Sequence, residues 1–379
     1  MTANNYDLDK MDSLKCNNMT RVQIGPSKTQ HSAREKYEVF YRMFSSVLPS
    51  VIELKQYLGV ILCGLSIWGI SWFLLKESVL PKGSVFNMAG VVVAGYIFGH
   101  TLERITSINP VVGMTLTGAL YRHFGPENFL LNPTLDLIDY HLRRIYPVII
   151  LTKGPLSWNW EYIKNNSVKV FSLATLPWIV ECLSTALFAY ILLGYPLYWG
   201  LHLGSILASV SPAIVVPIIL KLQSRGLGTK NQMSNLVGNA GGLDTCFTEG
   251  LFGVINSAIF YKASLPYRFV KGSLAIFVGI ALGILCGVIS DELPDHKDIY
   301  APTVRSLLIF AVGVLLTYAC GYVGWGGISG VAIMVCAGTA ATRWARRDWP
   351  LTNNPVWEVY KLLWRIFEPM LFTLSGYLK

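Results

Sequence analysis

Charged residues are scarce in this chain. Of its 379 residues only 14% are Asp, Glu, Lys or Arg, whereas 53% are hydrophobic. A soluble domain carries about 25% charged residues, and here the deficit extends along the chain from about Tyr57 onward. The composition therefore predicts an all-α, polytopic transmembrane helical bundle and argues against a soluble domain with a single anchor.

Signatures of several functional classes are also missing. The seven cysteines show no CxxC spacing, the histidines are scattered, and no HExxH, GxSxG or Walker sequence occurs. These absences predict no enzyme activity, no cofactor and no metal site beyond a transported monovalent cation. The formal net charge is +9, but no basic tract with interleaved aromatic residues accompanies it, so nucleic acid is not an expected partner.

The chain divides into a polar beginning and a long apolar remainder. Residues 1–50 are predicted to form a largely disordered cytoplasmic tail, and residues 51–379 are predicted to form the transmembrane domain. The count of Lys and Arg in the loops places the tail and Arg343–Arg347 on the cytoplasmic side. Eleven apolar segments follow the tail: Tyr57–Leu75, Val85–Leu102, Ile108–Arg122, Ile138–Ser157, Ser167–Leu193, Leu197–Leu220, Gly238–Phe260, Val270–Ser290, Arg305–Tyr322, Gly327–Thr342 and Glu358–Leu378.

Two acids lie within the seventh segment. Asp244 is near its middle, where an ionised side chain costs at least ~2.5–3.5 kcal/mol, so such a residue usually faces a bundle interior or an aqueous cavity. A carboxylate there can bind a proton and a cation in turn; the alternative is a structural acid paired with Lys or Arg. Glu249 lies about 140° around the helix from Asp244 and shares a face with Thr245. Glu249 is therefore expected to be either a second oxygen ligand or a polar group near the aqueous end of the helix.

Glu181 is a third acid at membrane depth, in the middle of the fifth segment. It needs a basic partner unless it serves a functional site, because an unpaired charge is costly there. Within this chain Lys153, Arg305 or a loop residue could supply that partner, and none is an obvious match. The sequence leaves a structural ion pair and a functional site equally open.

Prolines are predicted to break two of the segments. Pro212 and Pro217 interrupt the sixth segment, and Pro369 interrupts the last. A helix broken at membrane depth points its two half-helix ends at a bound ion. Paired interruptions in the two halves of a chain indicate an inverted-repeat transporter. An ordinary proline kink is the alternative at Pro212 and Pro217.

Four stretches carry a resemblance to a known family. Ser209–Pro217, Ala240–Thr245, Pro177–Leu187 and Trp364–Phe372 resemble, in the same order, segments of the animal sodium/proton antiporters of the cation:proton antiporter superfamily, in its sodium/hydrogen exchanger 9B-like branch. The resemblance runs from about Lys76 to Lys379. It implies a dimeric antiporter in which two broken helices cross near an acidic ion site.

Two features of the chain differ from that family. The family usually carries two adjacent aspartates, of which the second is the main carrier; Asp244 matches the first, and Thr245 stands at the second position. A threonine can coordinate Na⁺ through oxygen but cannot release a proton near neutral pH. The resemblance also implies about three further helices after Lys379, so the transmembrane domain is expected to be C-terminally incomplete.

The sequence thus predicts an antiporter of a monovalent cation (Na⁺, Li⁺ or K⁺) and protons, in intact or truncated form. Asp244 is its main ion-binding residue, with Thr245 and Ser211 as oxygen ligands and Glu181 as a core acid. The alternative is a transport-inactive family member that regulates or assembles with a full-length antiporter. The expected partners are the cation, the proton, the lipid bilayer, and a second copy or a related antiporter, in a plasma or organellar membrane.

Overall fold

The computed structural model describes residues 51–81, 83–106, 108–125, 133–229, 232–261, 264–325, 327–350 and 353–377. The predicted tail of residues 1–50 lies outside these ranges. The described part of the chain divides between Lys76 and Glu77 into two compact units. Every regular element in the described ranges is a helix, which confirms the predicted all-α class.

The helices follow the eleven predicted segments closely, and the sixth segment forms two helices. Their bounds are α1 Val51–Leu75, α2 Ser84–Thr106, α3 Pro110–Phe124, α4 Pro133–Lys153, α5 Trp160–Asn165, α6 Ser167–Leu193, α7 Leu197–Leu207, α8 Pro212–Ser224, α9 Met233–Phe260, α10 Leu265–Glu292, α11 Ala301–Val323, α12 Gly327–Arg347 and α13 Pro355–Tyr377. Among the described residues, six spans are long and apolar enough to cross a membrane: Ile61–Val79, Ser84–Thr106, Ser167–Leu193, Pro266–Glu292, Ala301–Val323 and Gly327–Arg347. The short α5 was not predicted.

Helix α12 is the central element of the second unit. It packs against α4, α9, α10 and α11, and 61% of its most apolar window is buried. On α10 a stripe of Gly279, Gly283 and Gly287 faces it; a β-carbon at Gly283 would lie only 2.7 Å from the carbonyl oxygen of Ala332. Small residues four apart let two membrane helices approach closely, so this stripe fixes α10 against α12.

A second packing centre lies where α4, α11, α12 and α13 meet. Trp344, Tyr360 and Trp364 are buried there with Ile149 and Ile309. In a water-soluble protein, fully burying an apolar side chain stabilises the folded state by about 1.5–3 kcal/mol. Between membrane helices this hydrophobic contribution is largely absent, and close packing holds the helices together instead. This cluster holds α13 to the rest of the unit, and the ion-site candidates lie elsewhere, around α9.

Candidate functional site

The sixth apolar segment is broken in the middle. Helix α7 ends at Leu207 and α8 begins at Pro212, and residues 209–211 belong to no regular element. Ser211 has an extended backbone (φ −84°, ψ 105°), and Pro212 stands in the first turn of α8, where its missing N–H removes no helical hydrogen bond. The break predicted at Pro212 is therefore present.

Pro217 does not break the helix. It lies within α8, which runs without interruption from Pro212 to Ser224, so the second predicted interruption in this segment is wrong. A proline inside a helix removes one backbone hydrogen bond, and membrane helices tolerate that loss where local adjustments satisfy the freed group. The unwound backbone is thus confined to the residues before Pro212.

Asp244 faces that unwound backbone. Only 4% of the residue is exposed, and its Oδ2 accepts a hydrogen bond of 2.9 Å from the backbone N–H of Val210. None of the ion pairs among the described residues includes Asp244. The hydrogen bond from Val210 therefore holds Asp244 at the helix break. A carboxylate can accept about four hydrogen bonds or ligand contacts, so Asp244 can still bind an ion.

The two predicted oxygen ligands lie on either side of this contact. Ser211 follows Val210 by one residue, is exposed, and does not cap α8 with its side chain. The hydroxyl of Thr245 donates a hydrogen bond of 3.0 Å to the carbonyl of Gly241. A hydroxyl that donates still has lone pairs for a cation, so both residues remain candidate ligands.

Thr248 is a candidate that the sequence analysis missed. It lies four residues after Asp244 and therefore on the same helix face. The residue is 9% exposed, and its buried hydroxyl has no hydrogen-bond partner in the described ranges. Helical threonines commonly donate to the carbonyl four residues earlier, as Thr245 does. The spacing of four from Asp244 was the signal that could have identified this free hydroxyl.

Glu181 lies near the site, and no ion pair among the described residues includes it. It is exposed on α6 and interacts electrostatically with Asp244. Neither suggested cation pairs with it: Arg305 donates to Asp348 at 2.6 Å, and the Lys153 ammonium lies over the ring of Trp364. A second negative charge close to Asp244 makes the site more attractive to a cation.

Comparison with known proteins places these features in a family. The family model for the transmembrane part of sodium/hydrogen exchangers matches residues 88–378, which is more than half of the chain. The chain belongs to this family. Sodium/hydrogen exchanger 9B2 of Xenopus tropicalis is 29% identical over 317 residues, 82% of this chain and 57% of that protein. Sodium/hydrogen exchanger 9B1 of Homo sapiens is 26% identical over 325 residues, 84% of this chain and 61% of that protein.

The fold of this exchanger family member is also found in a solved structure. The sodium proton antiporter MjNhaP1 of Methanocaldococcus jannaschii superposes with a TM-score of 0.62 over 78% of this chain and 70% of that one, at 19% sequence identity. The family and the apolar helices establish an integral, multi-pass membrane protein of an exchanger family and not an enzyme. The chain spans less than two thirds of the length of the two relatives above.

The last described helix does not show the predicted interruption. Pro369 lies inside α13, which is continuous from Pro355 to Tyr377. Helix α13 also packs closely against α3 near its end, where a β-carbon at Gly376 would overlap the backbone of Thr115. Neighbouring helices can stabilise a proline-containing helix at membrane depth. Within the described residues, the proline-associated break is therefore the one before Pro212.

Proposed function

We propose that this chain is the transmembrane part of a monovalent cation/proton antiporter in which Asp244 binds the cation and the proton in turn. One observation carries the proposal: a buried carboxylate contacts the unwound backbone between α7 and α8 and has no basic partner among the described residues. Such a group can be neutralised by a proton or by a cation, and both compete for the same charge.

The surroundings of Asp244 suit this competition. The backbone N–H of Val210 stabilises the ionised carboxylate, and α8, which begins two residues later, has the positive end of its dipole at this terminus. The last carbonyls of α7 carry the negative end and favour a cation. Oxygen ligands from Ser211, Thr245 and Thr248 would complete the coordination of Na⁺, Li⁺ or K⁺. The bound cation or the bound proton leaves Asp244 neutral in either case, so exchange at this site is one-for-one.

Two finer features belong to the same proposal. The exchanger works as a homodimer or as a heteromer with a related antiporter, as the resemblance implies. A transport-inactive member that assembles with a full-length antiporter is the alternative function. Thr245 favours this alternative. Its hydroxyl donates to the carbonyl of Gly241 and, unlike the second aspartate of the family, cannot release a proton near neutral pH.

The test is transport by the purified chain in proteoliposomes that contain a pH-sensitive dye. Addition of Na⁺, Li⁺ or K⁺ outside should dissipate an imposed pH gradient. Asp244→Asn keeps the shape of the side chain but removes its charge, so the flux should disappear. The matched control is Glu161→Gln, an exposed acid of α5, which should retain the flux. An unchanged flux in well-folded Asp244→Asn would exclude the proposed site, and absent flux in the unmodified chain would support the transport-inactive alternative.

A further inference from the structure

Lys271 is a buried cation near the start of α10. The residue is 4% exposed, and no ion pair among the described residues includes it. Its ammonium donates a hydrogen bond of 3.1 Å to the carbonyl of Gly324 and lies 3.3 Å from the centre of the Tyr261 ring. An ammonium has three N–H donors, so these two contacts leave one donor for another ligand.

The two contacts offset part of the lysine's charge. Gly324 caps the C-terminus of α11, and a helix C-terminus carries about half a negative charge. A tyrosine ring attracts a cation through its quadrupole but has no net charge. About half of the positive charge is therefore left for another group to balance.

The acids of the surrounding helices do not balance it. Helices α11 and α12 contain no Asp or Glu, and the first acid of α10 is Asp291, near its far end. The last acid of α9 is Glu249, and it faces Gly330 instead: a β-carbon at that glycine would lie 2.5 Å from its Oε2. A buried charge that is incompletely balanced is costly.

A small cavity lies beside the ammonium, where α9, α10 and α12 meet. Its volume is about 50 Å³, and Lys271 and the exposed Asn256 contribute polar groups to its lining. Close packing encloses it, because a β-carbon at Gly253 would lie only 2.8 Å from the α-carbon of Gly327. A cavity needs about 10–15 Å³ to hold one water molecule. This cavity therefore suits a small ion and not a bulky organic group.

The start of α12 adds a second positive feature to the same cavity. Helix α12 begins at Gly327, which is part of the lining. The first N–H groups of a helix have no partners within the helix, and the positive end of the dipole lies there. Such a terminus binds anions. The ammonium and the helix start therefore both favour a negatively charged ligand.

We propose that Lys271, Asn256 and the start of α12 form a binding site for a small inorganic anion of the size and charge of chloride. The bound anion balances the remaining charge of Lys271 and links α9, α10 and α12. The site is separate from the cation site at Asp244, which contacts the break between α7 and α8. The inference does not depend on the proposed transport.

Chloride binding to the purified chain tests the site. At constant ionic strength, replacing choline gluconate with choline chloride should raise the unfolding temperature, because a ligand that binds the folded state stabilises it. Lys271→Met keeps the length of the side chain but removes its charge, so the increase should be lost. The matched control is Lys164→Met, at an exposed lysine of α5, which should retain it. The same increase in Lys271→Met, or no increase in the unmodified chain, would overturn the proposal.

Two further comparisons separate an anion site from a purely structural lysine. In gluconate, Lys271→Met should unfold at the same temperature as the unmodified chain or at a higher one, because it removes an incompletely balanced charge. A less stable Lys271→Met, together with an unmodified chain that does not respond to chloride, would show that the lysine is structural. Asn256→Leu keeps the charge and should raise the half-maximal chloride concentration about fivefold, the effect of one typical hydrogen bond. An unchanged concentration would contradict a site in this cavity.

The position of the anion can be measured as well. Bromide resembles chloride and scatters X-rays anomalously, so crystals of the purified chain grown in bromide should show an anomalous peak beside the Lys271 ammonium. Peaks confined to other places would overturn the proposal. Density for a lipid phosphate with its acyl chains in this cavity would likewise overturn the assignment to a free anion.

Discussion

Asp244 on α9 and Asp348, one residue after α12, both have buried carboxylates, yet their surroundings differ. Asp244 is 4% exposed and receives one backbone hydrogen bond. The side chain of Asp348 is 5% exposed and forms an ion pair with Arg305 at 2.6 Å. The comparison separates an acid whose charge is already neutralised by the protein from an acid that needs a mobile ion for this purpose.

Arg305 is the centre of the paired region. It is fully buried, its guanidinium lies 5.3 Å from the ring centres of both Trp344 and Trp349, and it also donates to the backbone carbonyl of Asp291 at 3.1 Å. A guanidinium between aromatic faces is stabilised by cation–π interaction. Arg305 therefore fixes the ends of α10, α11 and α12 in one arrangement.

The same region shows why closeness of ligand-type residues is insufficient evidence for a metal. Ligand atoms of Asp291, His296 and Asp348 lie within 4.8 Å of one another. Asp291 already pairs with Arg343 at 2.6 Å, and Asp348 pairs with Arg305. Arginine stays protonated in proteins, so the two carboxylates are neutralised without a metal ion. On α9 the corresponding neutralising charge must come from outside the described residues.

The largest effect on stability should follow from removing the central cation of the paired region. Arg305→Met removes the arginine that pairs with Asp348 and leaves only His296 beside that carboxylate, at 2.9 Å. Breaking a buried ion pair by removing one partner destabilises a protein by roughly 3–5 kcal/mol. Thermal unfolding of the purified chain in detergent measures the effect. Asp244→Asn, by contrast, should leave the unfolding temperature unchanged or raise it. Equal losses in the two variants would contradict the distinction between paired and unpaired acids.

A smaller effect is expected on cation affinity at the unpaired acid. Thr248→Val removes the free hydroxyl one turn from Asp244 and preserves the branched shape. The loss of one such contact corresponds to roughly 1 kcal/mol, or about a fivefold weaker half-saturation for Na⁺ in the flux assay. Thr248→Ser keeps the hydroxyl and is the matched control. Equal half-saturation in Thr248→Val and the unmodified chain would remove Thr248 from the ligand set.

The smallest effect should come from the exposed margin of the paired region. Glu292 is 56% exposed and forms ion pairs with Arg343 at 2.9 Å and Arg347 at 3.4 Å. Surface pairs contribute about 0–1 kcal/mol, so Glu292→Gln should change the unfolding temperature little and transport not at all. A decrease in unfolding temperature as large as that of Arg305→Met would show that the exposed ion pairs stabilise the fold as much as the buried one does.

Local patterns in the sequence account for much of the fold. The bounds of α6 coincide with the predicted segment Ser167–Leu193, because an unbroken apolar run defines a membrane helix by itself. The break before Pro212 was predicted, whereas those at Pro217 and Pro369 were not found. The sequence shows where a proline removes a hydrogen bond, but the packing of neighbouring helices decides whether the helix ends there.

Long-range contacts account for what could not be predicted. Arg305 and Asp348 are 43 residues apart, and no local spacing indicates that they pair. The contact between Glu249 and Gly330 likewise depends on how α9 packs against α12. In contrast, Thr248 could have been found, because a spacing of four from Asp244 places both residues on one face. The roles of Asp244, Thr245, Ser211 and Glu181 remain predictions about this site.

Binding of Na⁺ to the purified chain tests the central claim most directly, because it depends on Asp244 and not on the rest of the transport cycle. A ligand that binds the folded state raises its stability by about 2.7 kcal/mol at a concentration one hundred times its dissociation constant. At constant ionic strength, replacing choline with Na⁺ should therefore raise the unfolding temperature of the unmodified chain and leave that of Asp244→Asn unchanged. The same Na⁺-dependent increase in both proteins would contradict the assignment of Asp244 as the ion-binding acid.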